Sequence, residues 1–279
     1  MTKSDASARL PWRWSAFAAV CVMVILFPFY WMVVAAFREE SALLAYPPQL
    51  WPTDLAPGLF WRVFSTTNVG TWLRNTALVA TVATLAVVPI AAITAYALSR
   101  FRGRSVSLAA LLIVVTQMMP AVLLLVPYFI IFRELGLLDG LGGLILANFA
   151  WTLPVTAWLM RSAFDGVPTE LEEAAMVDGC GRFGALWRIA VPLAMPGLVA
   201  SAVFAFISSW DEYFFARTLI SDSANWVVSV GLGSFSGDYA TSWQKVMAVA
   251  TISTLPPAIL FLFVQRAFVE NVSAGGVKG

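Results

Sequence analysis

Long apolar runs separated by short polar stretches dominate the chain. Six of them approach or exceed the roughly 20 residues that a membrane-spanning helix needs: residues 14–37, 72–99, 107–132, 141–160, 197–216 and 246–268. The pattern predicts an all-α polytopic membrane protein with six transmembrane helices over 14–268. A short amino-terminal segment, 1–13, and a tail, 269–279, flank it. The first run follows Lys3, Arg9 and Arg13, as a secretory signal would. It is longer than the roughly 7–15-residue core of a signal peptide and is read as an uncleaved first span.

Composition narrows the class. Hydrophobic residues make up 60% of the 279 and charged residues 12%, against about 45–50% and about 25% in soluble domains. That excludes an ordinary soluble enzyme, a disordered protein and a nucleic-acid binder. The absence of His removes imidazole bases, His metal sites and His proton relays. Cys21 and Cys180 have no metal-type spacing, so no metal site is expected.

Charge is more informative when divided by side. Six spans put both ends of the chain on one face. Eleven of the 17 basic residues fall there: Lys3, Arg9, Arg13, Arg100, Arg102, Arg104, Arg161, Arg182, Arg188, Arg266 and Lys278. Basic residues mark the cytoplasmic face. Both termini are therefore expected in the cytoplasm.

Prolines occur inside the runs at Pro89, Pro120, Pro127, Pro154, Pro256 and Pro257. Each removes a backbone hydrogen bond and bends its helix. They fit either a transport path or the ordinary proline content of membrane helices. Polar residues within the spans are few: Gln117, Asn148, Thr152, Ser208, Ser209, Asp211, Glu212, Ser253 and Thr254. Charges at depth face a cavity or a partner. Asp211 and Glu212 either snorkel to the interface or brace another helix, or, for Asp211, contact a hydroxylated solute or another protein. Trp151, Trp158, Trp210, Tyr213 and Phe214 suit either stacking on a solute along a path or anchoring at the membrane interface. Gln117, Asn148, Trp210, Asp211, Glu212 and Tyr213 form the candidate substrate path. The stretch from Arg217 to Trp243, with Gly231, Gly233 and Gly237, reads as an extracytoplasmic loop.

The stretch from Arg161 to Pro196 is the longest polar interruption on the cytoplasmic side. Thr169 and Glu172 have the spacing of a capping box, which predicts a short helix starting there. Gly179 predicts its end. Leu171, Ala174, Ala175 and Asp178 share one face at helical spacing. A second short helix near Phe183 to Val191 brings Phe183 and Trp187 together. A helix this short is not stable alone in water. The reading is a docking element, against the alternative of an amphipathic loop on the bilayer. The acids Glu170, Glu172 and Glu173 disfavour the latter, because such loops are basic on their polar face.

Glu173-Ala174-Ala175, Gly179, Ile189 and Val191-Pro192 resemble the EAA signature of ABC importer permeases. Val191 stands where that pattern has Leu. The flanks resemble the carbohydrate-type permeases of the maltose-transporter kind. They are Tyr96-Ala97-Leu98-Ser99-Arg100-Phe101-Arg102-Gly103, Glu134-Leu135-Gly136-Leu137-Leu138-Asp139, and Gln265-Arg266 with Ala274 to Gly279.

The resemblance implies a pore subunit that pairs with a second homologous permease. Two cytosolic ABC ATPases would hold ATP and Mg, and an extracytoplasmic binding protein would deliver a carbohydrate or related polyol. It also implies ATPase coupling through Glu173, Ala174, Ala175, Asp178, Gly179, Ile189 and Pro192. The chain has no Gly-rich loop ending in Lys-Ser or Lys-Thr, so no nucleotide is expected on it, and it is expected not to be an enzyme. The alternative, an ion-coupled secondary transporter, needs a mid-membrane ion site. Only Asp211 and Glu212 could supply one, and they are adjacent and off-centre.

Overall fold

The computed structural model describes residues 12–52, 54–237 and 241–275, with the side chains of 266–275 left aside. Lys3, Arg9, Arg266 and Lys278, counted in the charge argument, lie outside the described residues or side chains. The described residues contain no strand, only an isolated bridge between Ser236 and Thr241. They form two compact units.

The first unit spans residues 1–67 and 235–252. It contains α1 (Trp12–Ala36), α2 (Glu40–Leu43) and α3 (Pro57–Thr66). Just beyond α1 the chain is tied by a buried Arg38, which is 2% exposed. Its Nε donates to Asp54 Oδ1 at 3.1 Å and its Nη2 to Gln49 Oε1 at 3.1 Å. Phe37 stacks on Phe60, ring centroids 4.9 Å apart. The Glu40 carboxylate accepts the backbone N–H groups of Trp243 and Gln244 at 2.9 and 3.0 Å. These open the last helix, and the acid satisfies donors that a helix start otherwise leaves unpaired.

The second unit spans residues 68–234 and 253–279. Its spine is α4 (Val69–Arg100), followed by α5 (Arg104–Met118), α6 (Ala121–Glu134) and α7 (Leu141–Asp165). Next come the short α8 (Thr169–Val177) and α9 (Arg182–Ala185), a π turn (Leu186–Ala190), and α10 (Val191–Trp210). Then follow α11 (Phe214–Leu219), a 3₁₀ turn (Ser223–Asn225), α12 (Val228–Gly233) and, from residue 253 on, the rest of α13 (Trp243–Gly275), whose first ten residues belong to the first unit. The buried residues of α4 follow the helical repeat: Val69, Trp72, Thr76, Val79, Ala83, Val87, Ala91, Ala95 and Leu98. Small side chains allow α4, α7 and α10 to approach closely, as helices in lipid do. Ala91, Ala95, Ala157, Ala190 and Ala194 lie in one core, and a Cβ on Gly197 would come within 2.5 Å of Ala163. A second core gathers Val79, Phe132, Leu144 and Ala147 with Phe215, Leu219 and Val227.

Among the described residues, five helical stretches are long and apolar enough to cross a membrane: α1, α4, α7, the continuous run Arg182–Trp210, and Trp243–Gln265 of α13. The predicted third span is a pair, α5 and α6, bent by 103°. Of the prolines inside the runs only Pro120 breaks its helix; Pro89, Pro127, Pro154, Pro256 and Pro257 stay within helices. Met119, just before Pro120, is extended with ψ 125°, the conformation that a following proline enforces. Pro257 cannot donate to the carbonyl of Ser253, four residues back. The indole N–H of Trp210 donates to that carbonyl at 3.1 Å.

Three expectations change. Fifth-span helicity begins at Arg182 instead of near residue 197, and the helix expected at Phe183–Val191 is its opening segment, wound partly as a π turn. That same helix ends at Trp210, so Asp211 and Glu212 lie at its end. The predicted loop 217–243 holds α12, whose Val228, Val230 and Gly231 are buried.

Candidate functional site

The short helix α8 projects from the end of α7. Pro168 precedes it, and no side chain caps its start, so the expected Thr169–Glu172 capping box does not form. Glu172 has instead turned inward and is 4% exposed. Its Oε2 accepts the Tyr96 hydroxyl at 2.6 Å, and its Oε1 accepts Arg100 Nε at 2.8 Å. Tertiary partners outbid the local one because a buried carboxylate needs a cation and full hydrogen bonding.

Arg100, at the end of α4, engages three residues through all three of its nitrogens. Nη2 lies 2.8 Å from Glu172 Oε1 and donates to the Val167 carbonyl at 2.9 Å. Nη1 donates to Ser99 Oγ at 2.9 Å, and Ser99 in turn donates to Asp165 at the end of α7. One guanidinium thus joins the ends of α4 and α7 to α8.

The helix ends as expected at Gly179, whose φ is +88°. The Gly179 N–H donates to the Met176 carbonyl at 3.1 Å, and that of Cys180 to Ala175 at 2.9 Å. This paired ending is the Schellman motif, which favours glycine at the left-handed position. Glu173, Ala174, Asp178 and Gly179 are exposed and Ala175 is half-buried. Leu171, Val177, Phe183 and Trp187 add exposed apolar surface, and the rings of Phe183 and Trp187 meet edge to face at 6.1 Å. Ile189 sits in the π turn, half-buried, and Pro192 opens α10, exposed.

The predicted path residues are dispersed. Gln117 is exposed on α5. Asn148 is wholly buried in α7, donating to the Leu144 carbonyl at 3.0 Å, and its Oδ1 has no partner among the described residues. Trp210 is buried, whereas Asp211 is exposed and Tyr213 is 40% exposed. Glu212 braces its own chain: its two oxygens accept the N–H groups of Phe215 and Ala216 at 2.7 and 2.9 Å, capping α11. No hydrogen bond joins Gln117 or Asn148 to the Trp210–Tyr213 corner among the described residues.

Sequence reasoning gave no role to a second cluster, around Asp139. This residue has φ 57°, and its Oδ1 accepts the N–H groups of Ser221 and Asp222 while its carbonyl accepts Asn225 Nδ2 at 2.7 Å. Asn75 Nδ2 donates to the carbonyls of Ala224 and Trp226 at 3.1 and 3.0 Å. Together they clamp the segment between α11 and α12 onto α4 and the α6–α7 turn.

The described residues thus combine a helical bundle, one bent pair of helices and a short helix, α8, between α7 and α9. Residues 87–274 match the family described as "Binding-protein-dependent transport system inner membrane component", and the chain belongs to it. The chain is 34% identical over 265 residues to the sulfoquinovosyl glycerol transport system permease protein SmoH of Agrobacterium fabrum, covering 94% of this chain and 93% of that one. It is 33% identical to the trehalose/maltose transport system permease protein MalG of Thermococcus litoralis, covering 94% and 95%. Its fold matches a chain of a bacterial ABC transporter involved in the import of the acidic polysaccharide alginate. The TM-score there is 0.65 at 14% identity, over 95% of this chain and 96% of that one. The protein is the membrane-embedded permease subunit of an ABC importer and is not an enzyme. Family membership gives no support to an ion-coupled secondary transporter.

Proposed function

We propose that this permease imports a carbohydrate or related polyol by alternating access, driven by two partner ATPases that hold ATP and Mg. A second homologous permease would complete the pore, and an extracytoplasmic binding protein would deliver the solute. Both termini would lie in the cytoplasm, with the membrane domain over 14–268 and tails at 1–13 and 269–279. The coupling residues are Glu173, Ala174, Ala175, Asp178, Gly179, Ile189 and Pro192. The observation that carries the reading is α8, held from within by Glu172 while its Glu173–Gly179 face stays uncovered.

Relatives named for sulfoquinovosyl glycerol, trehalose/maltose and diacetylchitobiose support the solute class. For the path, exposure favours Gln117, Asp211 and Tyr213 as solute contacts. Asn148, Trp210 and Glu212 would form the framework of the same path. The test is uptake by the reconstituted complex, after screening its binding protein against sugars and polyols by thermal shift. Uptake of a stabilising sugar that stops on ATP depletion supports the reading. Uptake that persists without ATP, or a binding protein stabilised only by amino acids or metals, overturns it.

A further inference from the structure

Beyond the residues that face the ATPase, something must carry the displacement of α8 into the spans. Two covalent routes exist, back into α7 and onward through α9 into α10. Neither runs into α4 itself, which packs against α7 and α10 but is separated from α8 in sequence by the whole of α5, α6 and α7. The link to α4 is polar and buried. Glu172 is the only buried residue of α8, and both of its oxygens are taken by residues of α4: Tyr96 at 2.6 Å and Arg100 at 2.8 Å. The Arg100 side chain is 12% exposed and that of Glu172 is 5%, so the pair is shielded from the screening that weakens surface ion pairs.

The geometry also resists rotation. Arg100 engages Glu172, Val167 and Ser99 at once through three of its nitrogens, using the planar fork that a lysine lacks. Tyr96 is wedged edge-on against Phe164 of α7, centroids 5.7 Å apart. Separating α8 from α4 would leave a buried carboxylate and guanidinium without partners, which is costly.

We propose that Glu172, Arg100 and Tyr96 are positioning residues that make α8 and the adjacent end of α4 move as one body, passing ATPase motion into the spine of the bundle. The proposal rests on the coupling role assigned to α8 above. It differs from that role in facing inward: these side chains touch the permease and not the ATPase.

The test uses the assembled transporter with its ATPases, carrying Cys21→Ala and Cys180→Ala. Spin labels are placed at Thr169→Cys on α8 and Ile93→Cys on α4, both exposed positions. The expected result is one narrow distance, the same without nucleotide and after trapping with ATP and vanadate. Adding Arg100→Gln broadens that distance and lowers uptake per ATP hydrolysed by about tenfold, the scale on which such links modulate coupling. Tyr96→Phe, which removes one hydroxyl and keeps the ring, does the same to a smaller degree and serves if the first variant does not accumulate. A Thr169–Ile93 distance that changes on trapping in the otherwise unaltered chain overturns the proposal, as does Arg100→Gln with unchanged distance and uptake. Failure of the coupling role itself reads differently: the ATPases then do not co-purify with the chain.

Discussion

Gly231 of α12 lies directly against the indole of Trp72 on α4, so close that a Cβ at position 231 would fall 2.2 Å from Cε3. Both residues are buried. Nothing flexible yields there, because the obstacle is the ring itself. Gly231→Ala is expected to destabilise the protein by about 1–3 kcal/mol, the cost of overpacking. A fall in the detergent melting temperature checks this, and Gly233→Ala, whose nearest neighbour is 3.9 Å away, should leave it nearly unchanged.

Gly179 pairs a positive φ with an exposed face. Gly179→Ala places a Cβ in open space but strains the left-handed turn by about 1–2 kcal/mol. It should lower the amount of ATPase retained on purification. Gly179→Asp and Glu173→Lys also change the charge of the docking face. Each is expected to abolish ATP-driven uptake while the chain remains in the membrane, as measured by uptake and by immunoblot of the membrane fraction.

Asp139 holds the start of the α11–α12 connection through two backbone N–H groups. Removing a charged acceptor from them costs about 1–3 kcal/mol. Asp139→Ala should therefore speed protease cleavage near residues 221–226, with Asp139→Asn intermediate. Unchanged cleavage would show that the Asn75 and Asn225 hydrogen bonds suffice to hold the segment.

Acid should loosen the first unit. Hydrogen bonds from Arg38 hold the Asp54 carboxyl below its ordinary value of 3.8. A depressed folded-state value means that the contribution is fully present above the unfolded value and is lost as pH falls through the folded one. Hydrogen exchange in residues 37–56 should stay flat from neutral pH to about 4, once corrected for its intrinsic pH dependence. Below that it should rise, and Asp54→Asn should remove the acid step.

The parts legible in the sequence were those set by local rules. Apolar run length placed the spans, and glycine at 179 marked a helix end that the backbone geometry confirms. Glu172 was misread because its spacing from Thr169 satisfies a local cap, whereas its partners are 72 and 76 residues away. Tyr96, Arg100 and Asp139 stood inside recognised motifs, yet their roles depend on contacts across the bundle that no spacing rule encodes. The glycines at 231 and 233 suggested a loop. In the fold, Gly231 serves close packing inside α12, a use that depends on where Trp72 comes to lie.

Because Arg100 neutralises Glu172 inside the permease, the acidic run offers a partner fewer charges than it spells. Glu170, Glu173 and Asp178 remain outward, and a complementary cleft has only those to answer. Alanine scanning of the run should therefore sort into two phenotypes. Loss of an outward acid alters the salt sensitivity of assembly, whereas loss of Glu172 leaves that sensitivity alone and frees an unanswered cation at the foot of α4.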